Sequence, residues 1–245
     1  MQTFLVEIRE TLLPSRTGKD GPLPPLLVGM TFVTGLVDAY SYLVLGHVFV
    51  ANMTGNVVFL GFALAGAKGF SIAASAAAMA LFSAGALVGG SIARRVPTDR
   101  GRLFSVATVI QVLLVAVAVA LSWLGGSHVA SDYRYGLIAM LSLAMGLQNA
   151  TARKLAVPDL TTTVLTLTMT GLVADSALAG GTGSKAGRRL VAVSAMFLGA
   201  LVGALWVVHS HAAISLSLAL AVLSAIAATT LILVRSQPAW AQTSQ

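Results

Sequence analysis

The sequence predicts an all-α fold, a polytopic transmembrane helix bundle. Three observations predict it. Apolar runs of about 20 residues recur along the chain, the length one helix needs to cross a bilayer. Only 9% of residues are charged and the mean hydropathy is +0.88, whereas a soluble domain carries about 25% charged residues to coat its surface. Finally, charges and turn residues collect between the apolar runs rather than inside them. The runs are also too long for the strands of a membrane barrel.

The first 25 residues mix Glu7, Arg9, Glu10, Arg16, Lys19 and Asp20. No apolar core precedes a small-residue cleavage site there, so the segment is not read as a removable signal. Phe4, Leu5, Ile8 and Leu12 fall at helical spacing, compatible with a short interfacial helix; a loose polar tail is the alternative. Pro22, Pro24 and Pro25 then break the chain ahead of the first span.

Eight spans follow, at about 24–46, 48–66, 70–93, 103–124, 134–153, 160–180, 189–208 and 212–234. Six to eight crossings are compatible with the pattern, because the second span is polar near its start and also fits a re-entrant hairpin. The breaks are Arg94 to Arg100, Gly125 to Asp132, Val157-Pro158-Asp159 and Gly180 to Lys185. The chain thus divides into a polar or interfacial segment at 1–23, a first membrane unit at 24–124, a second at 134–234 and a tail at 235–245.

The two units read as repeats. Gly35-Leu36-Val37-Asp38-Ala39 matches Gly146-Leu147-Gln148-Asn149-Ala150, 111 residues on. Gly85-Ala86-Leu87-Val88-Gly89 matches Gly199-Ala200-Leu201-Val202-Gly203, 114 residues on. At a similar offset Met53-Thr54-Gly55-Asn56 falls on Leu165-Thr166-Leu167-Thr168. Four crossings per unit make the halves parallel; three invert them. Transporters use both arrangements, with the site at the repeat interface.

With eight crossings, Arg9, Arg16, Lys19, Lys68, Arg134, Lys185, Arg188, Arg189 and Arg235 share one side. Arg94, Arg95, Arg100, Arg102, Arg153 and Lys154 share the other. The excess weakly favours a cytoplasmic N-terminus. It also leaves two dense basic loops on opposite faces, a sign that one span is misplaced.

Asp38 is the principal candidate for chemistry. Inserting an acid into a span costs roughly 2.5–3.5 kcal/mol, which points to cation, proton or substrate binding. The structural alternative has it hydrogen-bonded to Thr34, Ser41 or Tyr42 to fix packing. Asn52, Thr54, Gly55 and Asn56 offer oxygens, amides and close backbone approach for a ligand; interhelical bonding is their structural alternative. Gln148 and Asn149 sit in an apolar helix. Thr163 and Thr166 belong to a hydroxyl-rich run whose side chains can also bond their own backbone. Gly85-x-x-x-Gly89 and Gly199-x-x-x-Gly203 are faces for close helix packing.

Other classes are excluded or weak. The net charge of +7 sits between apolar runs, where it sets topology, so nucleic acid is not an expected partner. There is no cysteine, hence no thiolate chemistry. His209 and His211 lack a third ligand, so no metal is expected. The glycines 181, 183 and 187 lack the strand and spacing of a nucleotide loop, and no hydrolase motif occurs, so neither a cofactor nor an enzyme is expected.

The first signature, Gly35 to Ala39 with Phe49 and Met53-Thr54-Gly55-Asn56, resembles the YoaK family of bacterial membrane proteins, defined by a domain of unknown function. The second, Gly146 to Ala150 with Asp159 and Thr161-Thr162-Thr163, is similar to that family too. The resemblance covers Pro24 to Val234. It departs at Thr166-Leu167, where the family pattern implies Thr-Gly. It implies a multi-pass protein of the cytoplasmic membrane and supplies no substrate. The residues therefore carry the expectation: a small secondary transporter or permease with a midplane site centred on Asp38, acting on a small molecule or ion, compatible with a homo-oligomer. A non-transporting scaffold or sensor is the alternative.

Overall fold

A computed structural model describes residues 2–15, 18–126, 131–176, 179–181, 185–235 and 239–241. The breaks read at 127–130 and 182–184, and most of the tail, lie outside these residues. Every regular element among the described residues is helical. In chain order they are α1 (Gln2–Leu12), α2 (Leu23–Val44), α3 (Met53–Leu64), α4 (Ile72–Arg95), α5 (Arg100–Gly125), α6 (Ser131–Leu155), α7 (Thr166–Ala174), α8 (Ala186–His209) and α9 (Ala212–Val234).

Five of these are long and apolar enough to cross a membrane: α2, α4, α5, α8 and α9. The sixth long helix, α6, has 25 residues but carries Arg153 and Lys154 in its last turn. Only 22–28% of the apolar windows of α4, α8 and α9 is buried. Their outer faces present Leu87, Phe197 and Ile232 at 72, 62 and 67% exposure. A continuous apolar surface of that kind suits lipid rather than water. The chain is a multi-pass membrane protein.

The second and sixth spans read from the sequence coincide with α3 and α7, helices of 12 and 9 residues. At 1.5 Å per residue they are about 18 and 14 Å long, well short of a hydrocarbon core of about 30 Å. Their apolar composition extended the apparent spans into flanking loops.

Capping residues set the helix starts. Ser71 accepts from the Ala74 amide at 3.2 Å and Asp99 from the Arg102 amide at 2.7 Å, satisfying otherwise orphaned donors. α8 has no side-chain cap of its own. Glu7 of α1 supplies one: its two oxygens accept from the amides of Lys185 and Gly187, both at 2.9 Å. A carboxylate at a helix N-terminus also complements the macrodipole, so α1 is docked on α8, while Leu5 and Leu13 stay exposed. At a C-terminus the opposite charge serves: Arg134 Nε donates to the Leu45 carbonyl beyond α2 at 2.8 Å.

Close contacts fix relative helix directions. A Cβ on Gly35 would strike the backbone of Met196, Gly199 and Ala200, and one on Gly199 would strike Phe32 and Gly35. Gly203 lies against Leu36 and Ala39, so α2 and α8 run parallel. Gly85 meets Leu143, Gly89 meets Leu147 and Ala150, and Gly146 meets Phe82 and Ala86, so α4 and α6 run parallel. α5 is antiparallel to α6, pairing Gln111 with Gln148 and Leu121 with Gly136. It is antiparallel to α9 through Gly101 with Val234 and Trp123 with Ser217. The ends of α2 and α5 meet where Tyr40 and Ser122 share a 2.7 Å hydrogen bond. The six long helices therefore alternate in direction along the chain.

Candidate functional site

Two short hairpins, one at each end of the bundle, meet buried polar side chains of the long helices. In the first, the chain leaves α2 and turns inward through residues 45–52. His47 holds φ 56°, a left-handed conformation that His tolerates better than most residues. By Ala51 the chain has come back level with Asp38, whose Oδ1 accepts the Ala51 amide at 3.0 Å. α3 then runs outward again. The return is tied to the entry by a 3.1 Å contact between His47 Nδ1 and the Gly69 carbonyl. Stacked Tyr42, Phe49 and Phe59 pack around the mouth.

Asn56 holds this hairpin from inside. It is fully buried, accepting from the Phe49 amide at 2.9 Å and donating to the Phe49 carbonyl at 2.6 Å. An irregular segment inside a bundle needs such partners, since water cannot supply them. Asn52 caps α3 through the Gly55 amide at 3.4 Å. A Cβ on Gly55 would strike the Phe49 ring. Asn52 and Thr54 are exposed. Of this group, only Asn56 is buried.

The second hairpin leaves α6 at the opposite end and turns inward through residues 156–165. Asp159 holds φ 63° and Thr162 φ 65°. For β-branched Thr162 that is a true outlier, a strain costing about 1–3 kcal/mol that surrounding contacts must hold. The holder is Gln148, whose Nε2 donates to Thr162 Oγ1 at 3.0 Å and to Thr34 Oγ1 at 2.8 Å. Its Oε1 accepts from Gln111 Nε2 at 2.6 Å. Asn149 Nδ2 donates to Thr163 Oγ1. Gln148, Gln111, Thr34 and Thr162 are each at most 2% exposed. Thr166, at the start of α7, faces outward, whereas Thr168 is buried.

Ion pairs close the second mouth. Arg189 of α8 donates from Nε to Asp159 at 2.9 Å and from Nη1 to Asp175 at 2.8 Å and to the Gly171 carbonyl. It joins the inbound and outbound ends of this hairpin.

The nine residues singled out from sequence thus fall into three groups. Asp38 and Asn56 hold the first hairpin; Gln148, Asn149 and Thr163 hold the second; Asn52, Thr54 and Thr166 lie at the surface, with Gly55 against an aromatic ring. Asp38 bonds the Ala51 backbone rather than the suggested Thr34, Ser41 or Tyr42. Thr34 instead bonds the Met30 carbonyl at 3.0 Å, and Ser41 bonds the Asp38 carbonyl at 3.2 Å. The groups are linked along α2, where Thr31, Thr34, Asp38 and Ser41 form a buried polar stripe at helical spacing. Gln111 and Arg189 were missed. A lone amide in an apolar span was the signal for Gln111; Arg189 read as an ordinary loop charge.

Among the described residues no group of three or more potential metal ligands assembles.

A family model described as "Protein of unknown function (DUF1275)" matches residues 26–230. The chain belongs to this family. It is also 32% identical over 151 residues to the "UPF0700 transmembrane protein YoaK" of Bacillus subtilis (strain 168), an alignment covering 61% of this chain and 65% of that protein. No solved structure matches. DUF1275 thus supplies a membrane family and leaves the activity to be argued from the two hairpins.

Proposed function

We propose that the chain is a small secondary transporter or permease of the bacterial cytoplasmic membrane, not an enzyme, built from two inverted repeats. Each repeat would hold three crossings and one re-entrant hairpin: α2 to α5, then α6 to α9. The observation that carries the reading is the pair of hairpins. They enter from opposite ends of the bundle, and each is held by a polar side chain of the long helix before it at matched positions, Asp38 with Ala51 and Asn149 with Thr163. Discontinuous segments entering from both faces toward the midplane are how many carriers build a site that two sides reach in turn.

Charge distribution supports six crossings. With α3 and α7 re-entrant, Arg9, Lys19, Arg94, Arg95, Arg100, Arg102, Arg153, Lys154, Lys185, Arg188, Arg189 and Arg235 share one face. Among the described cations only Lys68 and Arg134 lie at the other. This asymmetry is what the positive-inside rule expects of a cytoplasmic N-terminus, and it removes the opposed basic loops of the eight-span reading. The reciprocal glycine contacts support the repeat. Gly35 against Met196 and Ala200, and Gly146 against Phe82 and Ala86, are the same crossing made twice with the partners exchanged.

In this reading the polar stripe of α2 connects the hairpins. Asp38 is the charge that pairs with a cation or substrate; its repeat counterpart Asn149 is neutral, and Gln148 bonds Thr34, one turn nearer the basic face. Conduction requires each hairpin to loosen in turn, and strained Thr162 is poised for that.

The test is thermal stabilisation of the detergent-purified protein by a panel of ions and metabolites, followed by uptake of each hit into proteoliposomes. Stabilisation and uptake that disappear in both Asp38→Asn and Gln148→Leu support the reading. Co-purification of a stoichiometric protein partner with no stabilising solute would replace it with the scaffold or sensor alternative.

A further inference from the structure

A groove runs down the lipid-facing side of α4 and opens at the basic end of the bundle. Its upper part is lined by Phe82, Ala86 and Gly90 and has a volume of about 530 Å³. Its lower part, about 510 Å³, continues from Gly90 past Arg94 to Arg153 and Lys154 of α6. The lower part has three cations and no acid among its lining residues. Arg94 donates to the Ser91 hydroxyl at 3.3 Å, and all three cationic residues are exposed. A Cβ on Gly90 would meet nothing within 4 Å, so the missing side chain opens the groove rather than serving helix contact. The corresponding groove on α8, at the other end of the bundle, is lined by Val202, Leu205, Trp206, His209 and Ser210. It has the apolar walls without any Lys or Arg.

We propose that the groove of α4 and α6 binds an anionic phospholipid of the leaflet at the basic face, its phosphate among Arg94, Arg153 and Lys154 and one acyl chain along Phe82, Ala86 and Gly90. The chemistry is joint: a phosphodiester needs cations at the headgroup level, and an acyl chain needs an apolar channel leading straight down from them. Basic pockets between membrane helices recognise anionic headgroups in this way. The cytoplasmic assignment of that leaflet rests on the six-crossing topology; the site itself does not. The lipid would brace α4 against α6, the helix that carries Gln148 and Asn149 into the second hairpin.

The experiment is native mass spectrometry of the full chain in detergent with added phosphatidylglycerol, phosphatidylcholine or inorganic phosphate. Wild type is expected to retain one phosphatidylglycerol in preference to phosphatidylcholine. Arg94→Gln with Arg153→Gln should lower that retention about tenfold or more, given about 1 kcal/mol per cation near an anionic headgroup. Gly90→Leu, which keeps every charge, should lower it as well by filling the acyl channel. The pair Arg95→Gln with Arg235→Gln removes the same charge from the same face and should change retention little. Equal loss in that control pair would reduce the effect to general surface charge and overturn the proposal. Displacement of the lipid by millimolar phosphate would overturn the acyl part. A lipid-free dimer as the stable species would assign the groove to a second copy. Folding of each variant is checked by its unfolding temperature, and solute uptake is read separately, so failure here leaves the transport reading standing.

Discussion

Gly35 of α2 and Gly199 of α8 stand face to face so closely that neither has room for a Cβ. One on Gly35 would reach 3.0 Å from the Gly199 carbonyl carbon, and one on Gly199 would reach 3.2 Å from the Gly35 Cα. Gly146 and Gly85 repeat the crossing between α6 and α4. In lipid, where apolar faces gain nothing by leaving solvent, helices associate through such backbone approach.

Alanine at Gly35 or Gly146 should therefore force the helices apart. The expected cost is about 1–3 kcal/mol, the range for overpacking a filled interior. Gly61→Ala and Gly90→Ala have open space at the new Cβ and should leave stability unchanged or slightly raised. Unfolding temperature in detergent checks the contrast.

Asp38→Asn keeps an Oδ1 that can accept the Ala51 amide, so the first hairpin should stay folded. Asp38→Leu removes the acceptor and leaves a buried N–H without a partner, at about 1–3 kcal/mol. The two variants separate structure from function. If uptake of a stabilising solute fails in Asp38→Asn while its unfolding temperature matches wild type, the carboxylate acts on the solute. If uptake survives in Asp38→Asn, the residue only holds the hairpin.

Gln148 serves Gln111, Thr34 and Thr162 at once, so its replacement should be costly and non-additive. Gln148→Leu orphans the Gln111 amide; adding Gln111→Leu removes the orphan. The double variant should be less destabilised than the sum of the singles, with a coupling of about 0.5–3 kcal/mol. Additive losses would show that the two amides do not share a network.

Arg189 joins Asp159, 16% exposed, to Asp175, 53% exposed. The more exposed pair should be weak, about 0–1 kcal/mol, because water screens it. Asp159→Asn should thus loosen the second mouth more than Asp175→Asn. A cysteine introduced at Thr161 reports this as a faster reaction with maleimide.

Much of the fold was legible because apolar length is a strong signal. The six long helices and the close-packing glycines follow from runs such as 103–124 and from small residues four apart. The second hairpin was not, and the first stood only as an alternative to a crossing, for a physical reason. Met53 to Leu64 and Thr166 to Ala174 are as apolar as the long helices, and hydropathy does not distinguish a helix that crosses from one that turns back. In the proposed topology charge parity points the same way: two re-entrant segments would put Arg94 and Lys185 on one face. The partners of Asp38 were illegible because they are backbone amides, which no side-chain pattern reveals. Gln111 was visible in principle, as an amide within an apolar helix.

The most direct test of the account is the sidedness of three loops. The chain contains no cysteine, so single cysteines at Lys68, Pro97 and Lys185 can be probed in intact cells with a membrane-impermeant maleimide. Six crossings with re-entrant α3 and α7 predict labelling of Lys68→Cys from outside, and of Pro97→Cys and Lys185→Cys only after the membrane is opened. Labelling that puts positions 68 and 185 on one face and 97 on the other would restore eight crossings and contradict the inverted repeat.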